Sequence, residues 1–399
     1  MSLPVPTSFA GVDWGNFTHE VCAIVQAKVH QRSFAHSPSG LHEMVRWLRD
    51  LAPTDSFGVA LEVPHGPVVE ALQDGGFPVY SINPKQLDRF RDRHTVAGAK
   101  DDRRDAFVLA TALQTDFERF KAVPEPDPEA VELRETSRLY ESLTHDLQAH
   151  SNRLWQTLIR SAPQLLSLCK GADEPWFWEL CERVFGTPPL PRRDWVLRLL
   201  GRHRKKLDPD AVLAILRAPG LVLPASAAVA PLQVQALVPI LRVIAAQREA
   251  ARAHLAVLVS KAGELAAIID SQPGIDVILT GTLLGEARQP LEAADGDALR
   301  TLCGTAPVTR RSGKSHHVVM RRSCNLRLRS ALRNWAKTAI RCEPRSRELY
   351  NHLRARGHRH ERALRGLADR LLLRLVACLR DGRSYDPGRW TIRETSSAT

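Results

Sequence analysis

Asp102 and Asp105 stand three residues apart in the charged run Lys100-Asp101-Asp102-Arg103-Arg104-Asp105, just ahead of an apolar stretch from Ala106 to Leu113. On a helix they share one face, where like charges repel by about a few tenths of a kcal/mol. A divalent cation between them would relieve that repulsion. The ordinary alternative is a solvated helix start whose acids complement the helix dipole. Two more acids sit at the ends of apolar segments: Asp13 closes Phe9-Ala-Gly-Val-Asp13, and Glu62 lies near the end of Ser56-Phe-Gly-Val-Ala-Leu-Glu-Val63. A charge at the end of a buried strand is costly unless it is paired or metal-bound. Four carboxylates, Asp13, Glu62, Asp102 and Asp105, with no cysteine or histidine among them, suit Mg2+ or Mn2+. A pair of such ions about 4 Å apart can clamp the attacking and leaving oxygens of phosphoryl transfer.

A second group lies far along the chain, in Thr309-Arg-Arg-Ser-Gly-Lys-Ser-His-His317. It is expected to be a polar, basic loop. Ser312 is a hydroxyl flanked by Arg310, Arg311 and Lys314, cations that can hold a phosphate beside it. By default such a serine is only a loop serine. It lacks the strand–GxSxG–helix setting of a hydrolase elbow, and Ser-Gly-Lys-Ser is an incomplete P-loop. His316 and His317 are weak metal candidates with no partner in the sequence. Earlier, Ser271-Gln-Pro-Gly-Ile275 separates two helices. Gly274 would open the second, Val277 to Leu284, whose free backbone N–H groups can take a phosphate; a plain helical hairpin fits as well.

The elements that must position these groups can be read from periodicity. Segments 9–13, 21–25 and 29–34 form a three-strand meander with a turn at Gly15-Asn16. Leu41, Met44, Val45 and Leu48 make Gly40 to Leu51 an amphipathic helix. A strand from Ser56, a helix from Pro67 to Asp74 and a strand from Val79 to Ile82 follow, so the acids belong to one α/β domain. Sites in open α/β sheets form at strand ends. Pro124-Glu-Pro-Asp-Pro128 is a stiff linker. Beyond it, Leu133, Tyr140, Leu147 and Leu154 recur every seven residues, and Leu237 to Leu265 alternates spacings of four and three; both runs predict coiled-coil seams, with Arg248 a flaw in the second. The insert between them carries Trp176, Trp178, Pro188, Pro189, Pro191 and Trp195, aromatics more at home in a core than on a base-stacking surface. A helix with the buried stripe Leu328, Leu332, Trp335 and Ala339, then a long helical region from Arg347 to Arg380 broken at Gly357, complete the chain.

Composition narrows the class. The 399 residues suffice for two or three domains. Seven dispersed cysteines without a CxxC point to a reducing, cytoplasmic setting and no structural zinc. No uninterrupted run of 18 apolar residues predicts a membrane span, and Met1 to Ser8 lacks the marks of a signal peptide. Arg310 to Arg380 holds 20 Lys and Arg against 4 Asp and Glu, a net +16, whereas the whole chain carries +12; everything else is therefore −4. A field that concentrated points to nucleic acid. Arg321, Arg322, Arg327, Arg329 and Arg333 join Gly274, Arg310, Arg311 and Lys314 as candidate phosphate contacts.

Together these pieces resemble the DEDD transposases of the insertion sequence 110 family. Gly11-Val-Asp13, Ala60-Leu-Glu62, Ser81-Ile-Asn-Pro84 and Lys100-x-Asp102-x-x-Asp105-Ala106 resemble its N-terminal domain. Ser271-x-Pro-Gly-Ile275, Gly304-x-x-Pro307 and Ser312-Gly-x-Ser315 resemble its C-terminal transposase domain. The resemblance implies an α/β RuvC-like (RNase H-like) domain over 1–123, a helical coiled-coil linker over 124–264, a helical C-terminal domain over 265–387 and a tail over 388–399. It implies Mg2+ (or Mn2+) on Asp13, Glu62, Asp102 and Asp105, and Ser312 as a nucleophile that links to DNA through a phosphoserine. It further implies donor and target DNA, a bridge RNA that selects them, and a homodimer assembling to a tetramer with a site shared across protomers. Two departures leave alternatives open. Asp101 stands where the family more often has threonine and competes with Asp102 as a ligand, and Ser315 competes with Ser312.

Overall fold

The computed structural model describes residues 5–91, 101–120, 122–125, 127–186, 190–218, 224–312 and 315–389. The chain divides into two compact units, Met1–Asp127 and Pro128–Thr399.

The first unit is built on a five-stranded sheet. Its strands are β1 (Ser8–Trp14), β2 (Thr18–Val25), β3 (Lys28–Ala35), β4 (Phe57–Leu61) and β5 (Val79–Ser81), in the order β3-β2-β1-β4-β5. The first three form the predicted antiparallel meander; β4 and β5 join in parallel. The parallel strands require crossovers, and the helices supply them: α1 (Pro38–Leu51) precedes β4, α2 (Pro67–Asp74) joins β4 to β5, and α3 (Pro84–Arg91) and α4 (Asp102–Asp116) follow. Strand alternation sorts the core into two faces. Ala10, Val12, Val21, Ala23, Val59 and Leu61 pack with Met44 and Leu48 of α1 and Val68, Val69 and Leu72 of α2. On the opposite face Phe9, Ala60 and Tyr80 meet Val108, Leu109, Ala112 and Leu113 of α4, and Cys22 and Ile24 meet Ala106 and Ala110.

The second unit is helical apart from one hairpin. It comprises α5 (Pro128–Ser161), α6 (Pro175–Phe185), α7 (Arg193–Arg202), α8 (Pro209–Arg217), α9 (Pro224–Lys261), α10 (Gly263–Asp270), α11 (Val277–Glu292) and α12 (Gly296–Leu302). The hairpin β6 (Val308–Ser312) and β7 (Ser315–Val319) follows, then α13 (Leu326–Cys342), α14 (Pro344–Ala355) and α15 (His360–Asp381). Within this chain α5 packs on α9, with His254 Nε2 3.0 Å from Glu132; Leu133 shares a core with Leu255, and Leu147 and Leu154 share one with Leu241. The Trp-rich insert is a core, as expected. Trp176, Phe177 and Trp178 are buried among Leu154, Leu158, Val196 and Leu241, and the Trp178 indole donates to Ala172 O at 2.7 Å. A second core joins Leu133, Leu255, Leu283, Leu332, Trp335 and Leu371.

One local expectation is revised and one holds. The helix opening near Gly274 runs well past Leu284, to Glu292, passing a non-helical residue at Ala287 and carrying Pro290 inside it. Gly357 (φ +81°) does part α14 from α15. Among the described residues, α9 has the length and apolar content of a bilayer-spanning helix. Gln233, Gln235 and Arg242 punctuate it, and its Val234, Val238 and Leu241 are packed in the aromatic core.

Candidate active site

Register brings the first two acids together. Val12 of β1 lies opposite Leu61 of the parallel β4, so Asp13 and Glu62 leave the sheet side by side at the carboxyl ends of neighbouring strands. By alternation both belong to the face that carries Phe9 and Ala60, the face covered by α4. The end of β5 is fixed to the same edge, where Ile82 N–H donates to Leu61 O at 2.8 Å and Ser81 Oγ to Glu62 O at 3.5 Å.

Gly11 sets how closely α4 approaches. A Cβ at this position would run into the carbonyl oxygen of Ala106 and lie 2.5 Å from Ala110 N and 2.7 Å from Leu109 Cβ. Only glycine permits that distance, and it holds the first turn of α4 over the end of β1. That turn carries Asp102, exposed, and Asp105, 1% exposed.

Asp101 has a different task from Asp102. Its backbone is extended (φ −143°, ψ 123°), and its carboxylate accepts the Arg103 N–H at 3.2 Å, so it is the N-cap of α4. Capping satisfies a backbone donor that the helix leaves open and favours a negative charge at that end.

One acid was missed by sequence reasoning. Glu20 lies directly across from Asp13 in the antiparallel β1–β2 pair, accepts from Ser33 Oγ and sits 3.4 Å from Arg103 of α4. The signal was present: the short turn between β1 and β2 fixes 13 opposite 20. Arg103 is also held by its carbonyl, which accepts from Gln31 Nε2 at 3.2 Å. The oxygen donors at this edge have the hard chemistry that Mg2+ or Mn2+ takes. Among the described residues, no three His, Cys, Asp or Glu side chains already converge closely enough to hold a metal ion.

In the second unit, the segment expected to be a loop is an antiparallel hairpin, with Arg310 opposite His317, Arg311 opposite His316 and Ser312 opposite Ser315. The backbone therefore puts Ser312 at the tip end of β6. Lys314 lies outside the described residues, and only the backbone of Arg310, Ser312 and Ser315 is described. Arg311, His316 and His317 are exposed.

The remaining predicted cations divide into two groups. Arg327 is bound to Glu141 at 2.8 Å and Arg333 to Glu361 at 2.7 Å, so each already has a counter-charge. Arg329 donates through Nη2 to the carbonyls of Arg321 and Arg322, at 2.8 and 3.1 Å, tying α13 to the strand that leaves the hairpin. Gly274 (φ +84°) packs on the backbone of Ala339 and lines a cleft of about 410 Å³ with Tyr140, Arg327, Asn334 and Trp335. Trp335 Nε1 donates to Pro273 O at 2.9 Å, and Gln272 Oε1 accepts from Arg374 at 3.1 Å, so α13 and α15 both fix this loop. Asp276 caps α11 by accepting from Leu279 N–H at 2.9 Å, so the helix end expected to be open to phosphate carries its own carboxylate.

A mixed sheet with acids at its strand ends, joined in one chain to a basic helical unit, is the layout of a nucleic-acid-processing protein. A family model described as a transposase, of the IS110 DEDD type, matches residues 10–163. Another, described as a transposase of the IS116/IS110/IS902 family, matches residues 266–351. A putative transposase, y4uE, of Sinorhizobium fredii is 44% identical over 204 residues, 49% of this chain and 56% of that protein. The mini-circle putative transposase for IS117 of Streptomyces coelicolor is 28% identical over 96% of each chain. An insertion element IS116 protein of Streptomyces clavuligerus is 30% identical over 86% of this chain and 85% of its own. The chain belongs to the IS110/IS116/IS902 family of insertion-sequence transposases.

Proposed function

We propose that this protein is the recombinase of its element, cutting and rejoining donor and target DNA. Residues 1–123 serve as a RuvC-like (RNase H-like) domain, 124–264 as a coiled-coil linker, and 265–387 as the transposase domain that presents the serine. Asp13, Glu62, Asp102 and Asp105 hold Mg2+ (or Mn2+). When bound, that ion supplies Lewis-acid stabilisation of charge on a phosphoryl group. The observation that carries the reading is the register that sets Asp13 beside Glu62 on the face covered by the Asp102/Asp105 turn of α4.

In the proposed reaction Ser312 Oγ attacks a DNA phosphorus. A serine–phosphate ester forms, the bond from phosphorus to one deoxyribose oxygen breaks, and that oxygen leaves with a proton while the serine gives its own up. One phosphodiester replaces another, so the exchange stays reversible and needs no external energy source. Arg310, Arg311 and Lys314 flank the serine in sequence and offset negative charge growing on the phosphate. Arg321, Arg322, Arg327, Arg329 and Arg333 hold the strand nearby. A bridge RNA selects donor and target, and homodimers assemble to a tetramer.

The test is recombination between donor and target plasmids in Mg2+. Asp13→Asn, Glu62→Gln, Asp102→Asn and Asp105→Asn should each abolish product while the protein stays folded. Full activity of Asp102→Asn with loss in Asp101→Asn would move the ligand by one residue.

A further inference from the structure

Three buried polar atoms around the open end of the β6–β7 hairpin have no hydrogen-bond partner: Thr305 Oγ1, Arg321 Nε and Arg329 Nε. Thr305 lies three residues before β6, and Arg321 two residues after β7. Gly304 (φ +71°), next to Thr305, lies against Arg329: a Cβ there would be 2.8 Å from Cys324 Sγ and 3.2 Å from Arg329 Nε, and Arg329 Nη2 in turn donates to Arg321 O at 2.8 Å. A buried donor left unmade costs about 1–3 kcal/mol, more when charged. Several such groups in one place call for a ligand that completes them.

A third cation, Arg365, lies within electrostatic reach of Arg329. On α15, Glu361, Arg365 and Asp369 follow at intervals of four, one turn apart on a single face. Both acids are already taken. Glu361 binds Arg333 at 2.7 Å, and Asp369 accepts two bonds from Arg300, at 2.8 and 3.1 Å. Arg300 in turn accepts at its carbonyl from Thr305 N–H at 3.0 Å, which brings the Thr305 turn up to this face. Half-buried Arg365, between them, makes no hydrogen bond or ion pair among the described residues. Burial first, then the positive charges of Arg362 and Arg329, hold its guanidinium below the usual arginine value. Glu361 offsets this only in part, because it is engaged by Arg333, and a cluster with positive charge in excess favours an anion.

We propose that Thr305, Arg329 and Arg365, with Arg321 and Arg362 at the rim, form a pocket for one phosphodiester of a DNA strand at the root of the β6–β7 hairpin. The guanidinium fork matches phosphate oxygens in pairs, and the threonine hydroxyl supplies a third donor. A strand anchored there is led toward the hairpin that carries Ser312. DNA as the ligand rests on the transposase reading above; the anion site itself rests on the unpaired groups.

The experiment uses the full chain and fluorescence anisotropy on a labelled DNA duplex of arbitrary sequence, titrated at several salt concentrations. Arg365→Gln should weaken binding roughly tenfold, one charge-assisted contact, and lower the slope of log affinity against log salt by about 0.9, the share of one phosphate. Its melting temperature without DNA should not fall, because the change removes an unpaired charge among like charges. Thr305→Val should weaken binding to a smaller extent with the slope intact. An unchanged slope in Arg365→Gln, or a lowered melting temperature, overturns the pocket. A slope change seen only with an RNA strand of the same sequence overturns DNA as its ligand. If the wild-type chain shows no salt-dependent binding to DNA, it is the transposase reading that fails.

Discussion

Substituting Gly11 by alanine adds a single methyl group at the point where sheet and helix carry the acids toward each other. In ordinary strand geometry the change would stabilise by about 0.4–1 kcal/mol, because alanine restricts the unfolded chain. Here the new Cβ would lie 2.5 Å from Ala110 N and 2.7 Å from Leu109 Cβ, with the Ala106 carbonyl closer still. Comfortable contacts at such atoms need roughly 3.5 Å, so β1 and α4 must part by about 1 Å. Overpacking of this kind costs about 1–3 kcal/mol, and the two nearest atoms, Ala106 O and Ala110 N, are backbone, which cannot rotate away. A net loss of about 2 kcal/mol should lower the melting temperature of a unit this size by roughly 8 °C. The same 1 Å moves Asp102 and Asp105 away from Asp13 and Glu62, and misplacement on that scale can cost about 100-fold in rate. Thermal melts followed by circular dichroism, with recombination assays on the folded variant, give both quantities. A Gly11→Ala protein that melts with the wild type and recombines at the wild-type rate would refute the close approach and the role assigned to it.

Further outcomes follow from the same structure. His19 is fully buried, with Nε2 2.9 Å from His36 Nδ1, and burial, then the His36 charge, lowers its pKa to about 4. The unfolded chain therefore binds one more proton between pH 6.5 and 4, so stability falls as pH drops through that window, by up to about 3 kcal/mol. Denaturant titrations should show this slope, and His19→Gln should flatten it. Asp101→Ala should cost about 1 kcal/mol through loss of the α4 cap, whereas Asp101→Asn should melt near the wild type and keep activity, the signature of a cap rather than a ligand. In the second unit, the Glu286 side chain is 4% exposed and binds Arg138 and Asn325, at 2.8 and 2.7 Å. Those bonds hold its carboxyl below the usual value against the opposing effect of burial. Glu286→Ala leaves Arg138 without this partner and should cost about 3 kcal/mol in urea titrations.

Much of the first unit could be read locally. Short apolar runs mark β1 and β4, the charged ends mark Asp13 and Glu62, and spacing marks Asp102 and Asp105 as neighbours on α4. What local pattern cannot supply is the partner across space. Glu20 became part of the edge only through the β1–β2 register. The seven-residue repeats in α5 and α9 leave open whether the facing surface belongs to the same chain; α5 packs on α9 within this one. The Asp101-Asp102 pair was ambiguous because a cap and a ligand have the same side chain; the backbone angles identify Asp101 as the cap of α4. The hairpin at Ser312 was hidden because its strands are short and basic, with no alternating apolar residues to announce a sheet. That Arg365 has no hydrogen-bonded acid depends on Arg300 and Arg333, which reach Asp369 and Glu361 from other helices.

The central claim, a serine that becomes covalently linked to DNA, is tested most directly by mass spectrometry of protein digested after incubation with donor DNA and Mg2+. The account predicts a nucleotide-modified peptide containing Ser312 in the wild-type digest and none in Ser312→Ala protein that still binds DNA. An adduct that persists in Ser312→Ala and disappears in Ser315→Ala would contradict the assignment of Ser312. Strand cleavage with no adduct in the wild type would contradict the covalent mechanism itself.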